Sequence, residues 1–309
     1  MVLFEEEPLS GRSRQRLRIG RRGGRPPAGA CPSAPARGAW IVATLAISIS
    51  VAATATFAAP NPDAAQTADP RVVETTFESV DATVAAQWDF PAQTPAPLVV
   101  IIPASSGVDR NGLPPGFTDD PEIGIYAKLA AKLVREGFAV FRYDAPGTGR
   151  SGRGRFATDR STALEAYGRA VDHARIDTER VFLFGHSAGT QTIASIYPRY
   201  VDRNPVAGVV MLSNRVGESD SLRIDAPVLL VVTEKNPDDH YQHGRFPADA
   251  RAHADGKELE TELVTVPEAD HSLLIEVQGR KGKEFAIHPH AVSEIVQWLR
   301  KRLGRILES

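Results

Sequence analysis

Nothing constrains this chain more than Val181-Phe182-Leu183-Phe184 followed by Gly185-His186-Ser187-Ala188-Gly189. Four apolar residues in a row read as a short strand buried on both faces. The next five fit the pattern G-x-S-x-G, a sharp strand-to-helix turn with a serine at its apex. Such a turn holds the serine in a strained backbone conformation and pushes its hydroxyl out above a sheet. Residues two before and two after the serine pass so close to neighbouring backbone that a side chain would clash, and glycine stands at both places. The helix predicted from Ala188 to about Tyr197 aims its first amides at the space where an oxyanion would develop.

The rest of the body supplies the sheet this turn needs. Val72–Val80 and Thr83–Phe90 are β-like runs around Asp81-Ala82, a hairpin pattern. Leu98–Ile102, Phe138–Tyr143, Val206–Leu212, Pro227–Val232 and Glu262–Val266 read as further strands. Helical spacing marks Ile123–Glu136, Ser161–Ala174, Asp249–Leu259 and Ala291–Leu307. Strands alternating with helices predict an α/β domain over residues 71–309, with about eight strands in a mainly parallel sheet and helices on both faces. Reactive groups in such sheets gather at the carboxyl ends of the strands.

The first 37 residues hold eight arginines against three glutamates, and the chain as a whole carries a net charge of −2, so its body is acidic. An acidic body does not favour nucleic acid. No charged residue occurs from Gly38 to Pro62, and Trp40–Val51 is the most apolar part of that stretch. A basic start, an apolar middle and a small-residue exit make residues 1–59 a leader, either a signal peptide or an N-terminal membrane anchor spanning 39–59. Residues 60–70, rich in Pro, Ala and Asp, read as a linker. The expectation is an exported domain, periplasmic or secreted, or one anchored outside the cytoplasm. Cys31 is the only cysteine, so the body has no disulfide.

Three further segments fall at strand ends, in an order that matters. Pro103–Gly112 (Pro-Ala-Ser-Ser-Gly-Val-Asp-Arg-Asn-Gly) follows the strand ending at Ile102. Asp144-Ala145-Pro146-Gly147-Thr148-Gly149-Arg150-Ser151 follows Tyr143. Val266-Pro267-Glu268-Ala269-Asp270-His271-Ser272 follows the last strand. With the serine turn, these make the chain resemble the α/β-hydrolase superfamily, and within it the small serine esterases without a large cap domain. The resemblance implies Ser187 as nucleophile and His271 as its general base. It also implies an oxyanion hole made by the backbone amides of Ala188 and Ser105, with Ser106 as the alternative to Ser105. Asp144–Ser151 corresponds to a structural turn of the family, and His186 to a structural position.

The third member of the triad, the acid that orients the histidine, is not where the family places it. Asn236 occupies the expected aspartate position after the strand ending near Val232. Asp238 is the preferred substitute, with Asp239 beside it. Glu218 or Asp220, after the preceding strand, are alternatives, and Asn236 could itself hold the ring. Asp238–His243 also has the composition of a metal site but no recognised ligand spacing. Neither a metal nor a cofactor is called for. The implied activity is hydrolysis of small or medium carboxylic esters through an acyl-enzyme on Ser187. The link Ser213–Ala226 is too short for a lid, which predicts an open site. Peptidase, lactonase and acyltransferase activities use the same constellation. A second expectation, of another class, is an exported binding protein with this fold and feeble catalysis, motivated by Asn236.

Overall fold

The computed structural model describes residues 71–104, 107–113, 124–254, 259–279 and 282–308. The leader 1–59, the linker 60–70, Ser105 and Ser106 lie outside the described residues. Among the described residues no helix is long and apolar enough to cross a membrane.

Eight strands form one sheet in the order β1-β2-β4-β3-β5-β6-β7-β8. They are β1 (Arg71–Ser79), β2 (Ala82–Phe90), β3 (Ala96–Ile102), β4 (Ala139–Tyr143), β5 (Ile176–His186), β6 (Gly208–Leu212), β7 (Val228–Thr233) and β8 (Thr261–Val266). The β1–β2 hairpin is antiparallel and joins β4 antiparallel, while β4-β3-β5-β6-β7-β8 is parallel throughout. The carboxyl ends of the parallel strands therefore share one edge.

Strand alternation splits the core into two layers. Leu98, Val100 and Ile102 of β3, with Val181 and Leu183 of β5, face a layer closed by α2 (Asp159–Val171) and α3 (Ala188–Val201). Val99 and Ile101, with Phe182 and Phe184, face the opposite layer, closed by α1 (Ile125–Arg135) and the final helix α7 (Pro289–Glu308). A strand covered on both sides has no polar face to offer, which is why Val181–Phe184 reads as an unbroken apolar run.

Two regions depart from the sequence pattern. The helix expected at Asp249–Leu259 lies earlier. A helical segment runs as α5 (Pro237–His240), a π-helical turn (Tyr241–Arg245) and α6 (Phe246–Ala252). Its start is set by Asn236, whose side-chain oxygen accepts the Asp238 amide at 3.1 Å, with Pro237 in the first helical position. The π turn coincides with Gly244, where a Cβ would come within 2.8 Å of Val232 on β7. After β8 a separate two-stranded sheet, β9 (Leu274–Gly279) and β10 (Gly282–Ile287), precedes α7. Only a four-residue helix, α4 (Glu218–Ser221), lies between β6 and β7, and among the described residues no large cap domain covers the sheet edge.

Candidate active site

The turn after β5 is tight because backbone fills the space that side chains would need. A Cβ on Gly185 would lie 3.0 Å from the Thr190 amide nitrogen, and one on Gly189 would lie 2.5 Å from the Ile102 carbonyl oxygen. Between them Ser187 takes φ 49° and ψ −116°, a left-handed conformation that non-glycine residues rarely adopt. The surrounding bonds hold it there. The Ser187 amide donates to Leu212 O at 2.9 Å, and Ser187 O accepts both the amide (3.0 Å) and the hydroxyl (2.6 Å) of Thr190. Ala188 opens α3, so its amide is among the first-turn N–H groups that no helical carbonyl satisfies.

His271 sits in the loop between β8 and β9, shaped by two left-handed residues, Glu268 (φ 57°) and Leu273 (φ 54°). Thr233, the last residue of β7, donates its hydroxyl to Ala269 O, and Glu234 N donates to Val266 O at 3.1 Å. The loop is thereby tied to the end of the neighbouring strand. Its other flank reaches the serine turn through His186, whose Nε2 lies 3.3 Å from Ser272 O.

The carboxylate beside His271 belongs to Asp239. Its Oδ2 lies 2.9 Å from His271 Nδ1, and its Oδ1 lies 3.3 Å from His243 Nδ1. Asp238, the carboxylate preferred from the sequence, is exposed and receives only Gln242 Nε2 at 3.4 Å. The reason is helical. One residue along α5 rotates the side chain by about 100°, and position 239 faces the sheet edge while 238 faces solvent. Asn236 does not reach the ring either, since its side chain caps α5. Glu218 and Asp220 are exposed on α4. Since a carboxylate can only accept, His271 Nδ1 carries the hydrogen and Nε2 carries the lone pair.

That lone pair faces Arg215, whose Nη1 is 3.2 Å from Nε2, and Ser187 Oγ makes no hydrogen bond among the described residues. Arg215 was not singled out by any sequence motif. It is placed by the turn after β6. Ser213 takes φ 51°, Asn214 bonds Val216 O at 3.0 Å and His243 O at 2.6 Å, and the Arg215 amide donates to Thr190 Oγ1 at 3.1 Å. The same Thr190 hydroxyl serves Ser187 O, so serine turn, Arg215 and His271 form one connected group.

His186 is buried and points into the protein. Ala104 N donates to Tyr126 Oη (2.9 Å), leaving the phenol to donate to His186 Nδ1 (3.0 Å), while Nε2–H faces Ser272 O. Burial pulls its pKa down to about 4, so the ring is neutral and acts as a strut between the loop after β3 and the histidine loop. Asp144 fastens the far end of the loop after β3. It accepts the amides of Arg110 and Arg150, both at 2.8 Å, and Gly149 (φ 48°) leaves room for it. Among the described residues no group of three or more His, Cys, Asp or Glu is placed to hold a metal ion.

Strand order, serine turn and the loops at the sheet edge define the α/β-hydrolase fold, and this chain has it. The family profile described as "Serine aminopeptidase, S33" matches residues 116–235. Solved structures with the same fold include a dienelactone hydrolase from Anabaena variabilis (17% identity, TM-score 0.51, 77% of this chain and 99% of that one). They also include Est1E from Butyrivibrio proteoclasticus with ferulic acid bound (14%, 0.51, 76% and 100%). A soluble variant of monoglyceride lipase from Saccharomyces cerevisiae is a third (15%, 0.50, 79% and 99%). Comparison with curated protein sequences gives no match. The chain thus has the α/β-hydrolase fold, and its segment 116–235 is similar to a hydrolase family profile.

Proposed function

We propose that the protein is a serine hydrolase that cleaves carboxylic esters of small or medium acyl groups. Ser187 is the nucleophile, His271 the general base and Asp239 the acid that orients it. The carrying observation is the 2.9 Å contact between His271 Nδ1 and a buried Asp239 carboxylate, which leaves Nε2 as the ring's proton acceptor. As Ser187 Oγ attacks the ester carbonyl, its proton passes to Nε2. The C–O bond to the alcohol then breaks, and the same proton leaves with the alcohol. Water repeats the sequence on the acyl-enzyme and releases the acid. The Ala188 amide supplies one oxyanion donor, and the loop after β3 the other, at Ser105.

Two observations favour an ester over a peptide with a free N-terminus. The cation Arg215 stands 3.2 Å from His271 Nε2 and repels an α-ammonium. Among the described residues no large cap encloses a subsite for a chain end. The binding-protein reading rested on Asn236 replacing the acid, and the structure gives Asn236 a different task as a helix cap. The leader further supports export of this domain, which fractionation of producing cells would test.

The decisive experiment is Ser187→Ala with short 4-nitrophenyl esters, together with labelling by an uncharged fluorophosphonate. Loss of turnover and of labelling is expected. Unchanged turnover in the variant would remove Ser187 from the mechanism.

A further inference from the structure

We propose that Arg215 latches His271 in the free enzyme and is drawn off by the substrate's own carboxylate, so that the site selects esters that carry a negative charge. This inference rests on the serine-hydrolase reading and adds the substrate class.

Three features of Arg215 carry it. Its Nη1 occupies the Nε2 lone pair that must accept the serine proton. An imidazole whose acceptor is taken by a guanidinium N–H cannot act as base, so the contact must open during each turnover. Second, the backbone of Arg215 is fixed while its side chain is exposed. The amide is tied to Thr190 Oγ1, and the flanking Asn214 and Val216 are buried. Opening therefore needs only rotation of the side chain. Third, Arg215 forms no salt bridge among the described residues, whereas Asp239, the buried carboxylate of the group, is held by His271 and His243. A guanidinium offers five N–H donors in a fork that matches a carboxylate, and one contact with a neutral imidazole leaves most of them unused.

A carboxylate entering beside the ester replaces a weak partner with a charge-assisted, bidentate one. The same event places the ester near Ser187 and frees Nε2. A neutral ester gives Arg215 nothing to move to, and must compete with the latch.

The test compares 4-nitrophenyl hemisuccinate with 4-nitrophenyl butyrate, which share chain length and differ in the terminal carboxylate. Acetyl salicylate isomers bearing the carboxylate on the leaving group, such as 4-acetoxybenzoate against phenyl acetate, separate acyl-side from alcohol-side recognition. The wild type should prefer the charged ester in at least one pair. Arg215→Gln should lower that preference in kcat/KM by roughly 10–100-fold, the scale of one charged hydrogen-bonding pair, with Arg215→Lys in between. Labelling of Ser187 by an uncharged fluorophosphonate should be faster in Arg215→Gln than in the wild type. A charged-to-neutral ratio that is the same in wild type and Arg215→Gln for both pairs overturns the inference, as does labelling no faster than wild type. Ser187→Ala, assayed alongside, keeps the two readings apart. If it is inactive and the ratio does not move, only the role of Arg215 fails. If it turns over normally, the hydrolase reading fails first.

Discussion

The two halves of the candidate site are built by different physics. The serine half is made of backbone. Gly185 and Gly189 are required because atoms of Thr190 and Ile102 stand closer than ordinary van der Waals contact to where side chains would be, and Ser187 is strained because the strand-to-helix turn leaves it no other conformation. The histidine half is made of side-chain contacts between loops: Asp239 on His271, Thr233 on Ala269, Asn214 on His243. A backbone-built site tolerates few sequences. A contact-built one can be assembled from several, provided one carboxylate reaches the ring.

The largest expected effect tests which carboxylate that is. Asp239→Asn should lower turnover about 10⁴-fold while leaving the fold intact, the cost of the same exchange in a serine protease triad. Asp238→Asn, one residue away and exposed, should stay within about twofold of wild type, as expected of a surface change. Steady-state kinetics on a short ester reads both. Equal, large losses would mean that α5 does not hold the orientation described.

This contrast also explains what the sequence could and could not reveal. The serine turn, the mainly parallel sheet of about eight strands and the end-of-strand position of His271 were legible because glycine spacing and apolar runs are local consequences of the fold. The choice between Asp238 and Asp239 was not. It depends on where α5 begins, and that depends on Asn236 acting as a cap, a role any polar residue at the position could conceal. Arg215 left no mark either, because no periodicity or motif surrounds it. Its place follows from the Ser213 turn and from Thr190 on a different element. The β9–β10 hairpin was missed for a related reason. Its strands mix Glu, Lys and Gln with apolar residues and make a small sheet apart from the main one.

His186 joins the two halves, and acid exposes its role. Its pKa is lowered by burial to about 4 from an ordinary 6.5. Below pH 6.5 the unfolded chain takes up a proton at this residue that the folded chain refuses until about pH 4. The unfolded state binds more protons over that interval, so stability falls as pH falls. The full difference is worth about 3 kcal/mol. Urea unfolding of wild type and His186→Gln at a series of pH values should show this extra slope in the wild type alone. Parallel curves would show that the ring is not buried as a neutral group.

On the serine side, Gly189→Ala should cost about 1–3 kcal/mol, the range for forcing a group into packed space, because the two atoms in the way, Ile102 O and Pro103 O, are backbone at 2.5 and 2.6 Å. It should also lower activity, since those carbonyls lie at the end of β3, where the loop proposed to carry an oxyanion donor begins. Gly304→Ala is the matched control. It lies within α7 with nothing inside 4 Å of the added carbon, and should raise stability by about 0.5–1 kcal/mol through helix propensity. Thermal melts of the pair separate steric closeness from the general effect of replacing glycine.

The smallest effect belongs to the capping residue that misleads the sequence reading. Asn236→Ala removes the acceptor for the Asp238 amide and should cost about 1 kcal/mol, as loss of a helix cap does. Asn236→Asp restores the aspartate that the superfamily pattern expects there and should be neutral for stability, since both residues cap well. It should not restore activity to Asp239→Asn. The side chain at 236 is aimed at the first amides of α5, where a negative charge is also favoured by the helix dipole, and nothing draws it toward His271. If the double variant Asn236→Asp with Asp239→Asn recovered turnover, the ring would accept an acid from either end of α5. The histidine half would then be as tolerant in its catalytic carboxylate as the serine half is strict in its glycines.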